Sequence, residues 1–195
     1  MNDLNIYLTG VGGQGIGLLS KVLAESCLKA GYDIKSVDTH GLAQRGGTVV
    51  SQIRIGEKIY SPLIPEGEAD VVIGLERLET LRAMPMLKPE NGKVLYYEAQ
   101  YQPIDVRLED HHYPKKEELQ EYIEKINGEL KSVRKDDLPD ARMQNIVLLA
   151  EIARLGWIDK VDAEIIKTTM NEILPESIRD MNLELFDECF NSKNN

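Results

Sequence analysis

Apolar residues come in short runs early in the chain and at helical spacing toward its end. Residues 4–9, LNIYLT, are a β-branched and aromatic run that stops at glycine, which predicts a buried strand. After the glycines, Ile16, Leu19, Val22, Leu23 and Leu28, with Leu18 beside them, recur close to a helical period and predict a helix over 16–30 facing a core. Gly31 stops it, and DIKSVD at 33–38 reads as the next strand. Residues 4–38 therefore form a βαβ unit with parallel strands.

The following segment breaks that rhythm. Only nine residues, THGLAQRGG, separate Asp38 from the strand-like run TVVSQIRI at 48–55, and a helical crossover needs about a dozen. The third strand is thus expected to run antiparallel to a neighbour, or the loop to cross an edge of the sheet, and the sheet to be mixed. GEK at 56–58 predicts a tight turn into KIYSPLI, completing a hairpin. Residues 70–75, in the run ADVVIGL, are a further strand. A helix follows over 76–87, starting near Glu76, carrying Leu78, Leu81 and Met84 on one side, and kinked or ended by Pro85.

GKVLYYEA at 92–99 predicts another strand, residues 101–113 an irregular connection, KKEELQEYIEKI at 115–126 a charged amphipathic helix and ELKSVR at 129–134 a last strand. From Leu138 the pattern is helical. The run 140–156 is apolar over more than half its circumference, so it is a central helix or packs on two surfaces. Asp162 caps a helix over 163–174 that ends before Pro175. The final helix, 176–190, carries Ile178, Met181, Leu185 and Phe186, and NSKNN reads as a frayed tail. The pattern is that of one α/β domain over 1–195, three-layered, with a mixed, partly parallel sheet, a Rossmann-like βαβ start and a helical C-terminal part.

A formal net charge of −10, from 33 acidic and 23 basic residues, argues against a nucleic-acid surface. No apolar stretch approaches the ~20 residues that span a bilayer, so a cytoplasmic protein with no membrane partner is expected. Cys27 and Cys189 stand far apart with no histidine at ligand spacing, and no metal site follows from them. Cys27 falls on the apolar face of the first helix and reads as a small buried hydrophobe.

The chemical candidates centre on residues 10–15. Gly10, Gly12 and Gly15 have the GxGxxG spacing, and backbone N–H groups at the start of the helix suit an anion such as a phosphate. The alternative is that the glycines only allow strand and helix to pack around a tight turn. Asp38 lies 23 positions after Gly15, where a dinucleotide site places its ribose-binding carboxylate, yet the missing helix after Asp38 counts against NAD. In HGLAQRGGT, 40–48, Gln44 and Arg45 precede paired glycines, and arginine recognises phosphates or carboxylates bidentately. His40 has no cysteine or second histidine near it, and His111 and His112 read as turn residues. No catalytic set emerges. A stand-alone NAD-dependent oxidoreductase and a nucleotide-sensing module both stay open.

Residues 10–56, GVGGQGIGLLSKVLAESCLKAGYDIKSVDTHGLAQRGGTVVSQIRIG, closely resemble the γ-type subunit or domain of 2-oxoacid:ferredoxin oxidoreductases. Within that family they are most similar to the small β subunit of the indolepyruvate type. The glycine run with Gln14, followed by SVDTHGLAQRGG, is the two-part signature. ADVVIGLE, ending at Glu76, and Asn145 before VLLAEIARLG extend the likeness as layout. The resemblance implies a small subunit with no catalytic residue of its own. It belongs to a complex, expected in an anaerobic host, that oxidatively decarboxylates indolepyruvate or another aryl pyruvate. The products are an acyl-CoA, carbon dioxide and reduced ferredoxin. Thiamine diphosphate and [4Fe-4S] clusters are implied on a large partner subunit, with ferredoxin as acceptor, and in isolation a homodimer is a further option. Gly10, Gly12, Gly13, Gln14 and Gly15, with Arg45, are then the expected contacts to a phosphate of coenzyme A (CoA) or to an acidic group of the partner.

Overall fold

A computed structural model describes residues 3–39, 47–100 and 113–192. The chain runs β1 (Leu4–Val11), α1 (Ile16–Lys29), β2 (Ile34–Thr39), β3 (Thr48–Ile55), β4 (Val71–Gly74), α2 (Arg77–Ala83), β5 (Lys93–Tyr97), α3 (Lys116–Lys125), β6 (Glu129–Val133), α4 (Gln144–Leu155), α5 (Ala163–Ile173) and α6 (Glu176–Asn191). A 3-10 turn, Met84–Met86, follows α2 with Pro85 inside it, and another, Ala141–Met143, leads into α4.

The six strands lie in the order β2-β3-β1-β4-β5-β6. β4, β5 and β6 extend β1 in parallel, while β3 pairs antiparallel with both β1 and β2. The sheet is therefore mixed, as expected. β1 and β2 are parallel but not neighbours, because the short connection brings β3 back between them. With both edges of β3 occupied, no third strand can pair there, and the expected hairpin through KIYSPLI does not form. Instead, Gln52 Oε1 accepts the Ile64 N–H at 2.6 Å, and Arg54 Nη1 donates to the carbonyls of Ser61 and Leu63 at 3.2 and 3.3 Å. Side chains of β3 thus hold residues 61–64 without strand pairing.

Alternation along the strands divides the core between two faces. Ile6, Leu8, Ile53, Ile55, Val71, Ile73, Leu95 and Tyr97 pack with α1, α4, α5 and α6. Val72, Val94 and Tyr96 point the other way and meet Ala83, Met84, Leu119 and Ile123 of the α2 and α3 side. These are the three layers. Helix α4 is the central helix: every residue from Gln144 to Ile152 is buried. Leu28 departs from its expected place, being 48% exposed, because Cys27 takes the core position in that turn of α1. Ile178 and Met181 of α6 are likewise exposed, while Leu185 and Phe186 are buried. Among the described residues no helix is long and apolar enough to cross a membrane.

Candidate functional site

Strand β1 ends in the glycine turn beside β4, where chain order reverses direction across the sheet. In open α/β sheets the crevice at such a reversal, beyond the carboxyl ends of the strands, is where ligands bind. Gly13 has φ +99° and Gly15 φ +84°, left-handed conformations that side chains disfavour. Gly15 is the N-cap of α1 and supplies no side chain to its first N–H groups, which leaves the positive end of a 14-residue helix open to an anion. The Gly12 N–H donates to the Gly47 carbonyl at 2.9 Å, so β3 closes against the turn from the other side.

The expected site residues fall into two groups. Gln14 is buried: its Oε1 accepts the Val11 N–H at 2.7 Å and its Nε2 donates to the Leu75 carbonyl at 2.9 Å. Gly10 exists to admit it, since a Cβ there would lie 2.9 Å from Gln14 Oε1 and 2.9 Å from Leu75 Cβ. Both face the interior. Gly12, Gly13 and Gly15, by contrast, line an open cleft of ≈ 270 Å³ with Asp38, Thr39 and Ser51. Arg45, Gln44 and His40 lie outside the described residues, as do His111 and His112. Of the two residues that bracket 40–46, Thr39 lines this cleft and Gly47 accepts from the Gly12 N–H beside it.

Ser51 has 0% exposure, and among the described residues its hydroxyl has no partner although it lines the cleft. Sequence reading passed over it. The available signal was a lone hydroxyl in TVVSQIRI at the same strand parity as Ile53 and Ile55, hence on the core-facing side. Asp38 accepts a hydrogen bond from Ser20 Oγ at 3.0 Å. Its strand is the sheet edge, separated from β1 by antiparallel β3, whereas a dinucleotide fold sets parallel strands side by side there. The topological basis of the NAD reading is therefore missing.

The start of α4 abuts the glycine turn. Asn145 on α4 donates from Nδ2 to the Gly15 carbonyl at 3.2 Å. At the end of β4, Glu76 caps α2 through a 2.9 Å bond from the Glu79 N–H and also accepts from the Tyr113 phenol. Burial pushes the Glu76 carboxyl above its ordinary value, against the lowering effect of those donors. Arg77 reaches Glu98 at 2.9 Å and Lys116 reaches the other oxygen of Glu98 at 2.5 Å. This network fixes the starts of α2 and α3 to the end of β5.

The thiols do not make a metal centre. Cys27 lies in the core with its thiol pushed up to about 12 by burial, and Cys189 is on α6. Among the described residues no group of three or more His, Cys, Asp or Glu could hold a metal ion.

The family model described as pyruvate ferredoxin/flavodoxin oxidoreductase matches residues 5–192. The chain is 32% identical over 192 residues to the indolepyruvate oxidoreductase subunit IorB of Methanothermobacter thermautotrophicus, covering 96% of each. It is also 32% identical over 192 residues to the IorB of Pyrococcus horikoshii, covering 96% of this chain and 94% of that one. Among solved structures, the γ subunit of a keto/oxoacid ferredoxin oxidoreductase from Geobacter sulfurreducens superposes with a TM-score of 0.62 at 21% identity, over 96% of each chain. A 2-oxoglutarate:ferredoxin oxidoreductase from Magnetococcus marinus, solved with 2-oxoglutarate, coenzyme A and succinyl-CoA bound, gives 0.69 at 20% identity over 97% of this chain and 30% of that one. The two structures establish a shared fold.

Proposed function

The chain belongs to the pyruvate ferredoxin/flavodoxin oxidoreductase family, and from that membership we propose that it is the small subunit of an indolepyruvate-type 2-oxoacid:ferredoxin oxidoreductase. The observation that carries this reading is the likeness to IorB subunits over nearly the full length of both chains. Residues 1–195 make up one γ-type domain of the complex. The complex converts an aryl pyruvate, CoA and oxidised ferredoxin to an arylacetyl-CoA, carbon dioxide and reduced ferredoxin.

This chain's residues do not fit a [4Fe-4S] cluster, which takes four cysteine thiolates, since it has two cysteines and one is sealed in the core. The clusters and thiamine diphosphate belong to a larger partner, which passes electrons to ferredoxin. CoA is different, because the glycine cleft fits one of its phosphates. The N–H groups around Gly13 and Gly15 and the unpartnered Ser51 hydroxyl would hold that phosphate, with Arg45 as counter-cation. CoA supplies the thiol that accepts the acyl group. The chain's own contribution is to anchor the carrier while the partner does the bond making.

The experiment is anaerobic coexpression with the large iron–sulfur subunit, with the copurified pair assayed for indolepyruvate- and CoA-dependent reduction of a viologen dye. Copurification with that activity supports the reading. A chain that elutes alone and turns over NADH overturns it. Within the active complex, Arg45→Ala raises the KM for CoA if the cleft holds a phosphate, and weakens subunit association if it docks an acidic group of the partner. A variant that changes neither removes Arg45 from the site.

A further inference from the structure

A second cleft opens at the carboxyl ends of β5 and β6, away from the glycine turn. It measures ≈ 380 Å³, at the small end of ligand-binding cavities. Tyr97, Ala99, Arg134, Leu138 and Gln144 are among the residues that line it. Gln144 and Asn145 are consecutive on α4 and serve different places: Asn145 binds the Gly15 carbonyl, whereas Gln144 lines this cleft.

Gln144 is 2% exposed, and among the described residues its Nε2 has no hydrogen-bond partner. A buried donor of this kind is costly unless an acceptor reaches it. It is the first residue of a 12-residue helix, whose positive end favours an acceptor that is negatively charged. The acidic groups of the cleft are already engaged. Glu98 is held by Arg77 and Lys116, and Asp136 is held by Arg134 Nε at 2.5 Å. That bond uses one edge of the Arg134 guanidinium, which is more than half exposed and, among the described residues, keeps its Nη hydrogens for a second acceptor.

We propose that this cleft binds a small organic acid with an apolar body, its carboxylate taken by the Gln144 amide and the Arg134 guanidinium and its body laid against Tyr97, Ala99 and Leu138. The ligand chemistry is set by the cleft: an amide donor and a cation for two carboxylate oxygens, beside apolar walls too small for a dinucleotide. The site is independent of the glycine cleft, so the inference does not rest on where CoA binds.

The test is titration of the isotope-labelled 195-residue chain with phenylacetate at neutral pH, followed by nuclear magnetic resonance, with phenylacetamide as the neutral counterpart. The expected result is saturable shifts of the Gln144 side-chain amide and the Arg134 Nε–H. Arg134→Ala then weakens phenylacetate by roughly tenfold and phenylacetamide by much less, as loss of a charge-assisted bond requires. Gln144→Leu weakens both, and should that variant not fold, the Arg134→Ala contrast decides alone. Absence of saturable shifts at these two groups, or equal binding by Arg134→Ala, overturns the proposal. So does loss of phenylacetate binding when the chain is assembled with its large partner, because the cleft would then accommodate an acidic side chain of that partner.

Discussion

Gln14 Nε2 donates to the carbonyl of Leu75 at 2.9 Å, joining the turn after β1 to the end of β4 across 61 positions of sequence. The same carboxamide accepts the Val11 N–H, so one side chain satisfies two buried backbone groups at the point where the sheet changes direction.

Gln14→Ala leaves both backbone groups unsatisfied. At about 1–3 kcal/mol each, the loss should be about 3 kcal/mol, or roughly 6–12 °C in Tm for a chain of this size. Thermal unfolding followed by circular dichroism measures it, and a change within a degree of wild type would mean that water replaces the carboxamide.

Gly15→Ala should be destabilising twice over. The left-handed φ costs about 1–2 kcal/mol for a residue with a Cβ, and that Cβ would lie 2.5 Å from Asn145 Nδ2. In an Asn145→Ala background the second cost disappears. A double-mutant cycle by urea denaturation should therefore show coupling of about 1 kcal/mol, whereas strict additivity would mean that α4 shifts freely away from the turn.

Glu76 imposes a pH dependence of definite sign. Its folded-state value is raised above the ordinary 4.5 by burial, so the folded chain holds the proton more tightly than the unfolded one. This contribution to stability is fully present below pH 4.5 and is lost as pH rises through the raised folded value. Measured by urea midpoints, the stability of wild type relative to Glu76→Gln should fall as pH rises from 4.5 toward neutrality. Tyr113→Phe removes a donor that favours the carboxylate, and should steepen the decline. A difference that grows with pH would contradict the assignment.

Cys27 should be inert in the native state. Its thiol is sealed in the core and its ionisation pushed up to about 12, so almost no thiolate exists near neutrality. In a Cys189→Ser variant, a thiol-directed chromogenic disulfide should give no signal until guanidinium unfolds the chain. Rapid labelling without denaturant would mean that α1 opens locally.

Much of this protein is determined within short stretches of sequence. The β-branched run TVVSQIRI makes a strand, Asp162 caps α5 by accepting the Ile165 N–H at 2.9 Å, and Pro85 ends α2 at Ala83, all through interactions spanning a few residues. The shortness of THGLAQRGG likewise foretold an antiparallel β3. Its insertion between β1 and β2 was decided by pairing between distant strands, which no local period records. The same pairing occupied both edges of β3 and left KIYSPLI without a strand to join. The glycine spacing marked the turn but not its two sides. Which residues face inward depends on desolvation and on partners far away, Leu75 for Gln14 and Asn145, 130 positions off, for Gly15. Ser51 and Gln144 became visible as site residues for the same reason. Sequence shows a hydroxyl and an amide on apolar elements, whereas only packing shows that each is buried beside a cleft without a partner among the described residues.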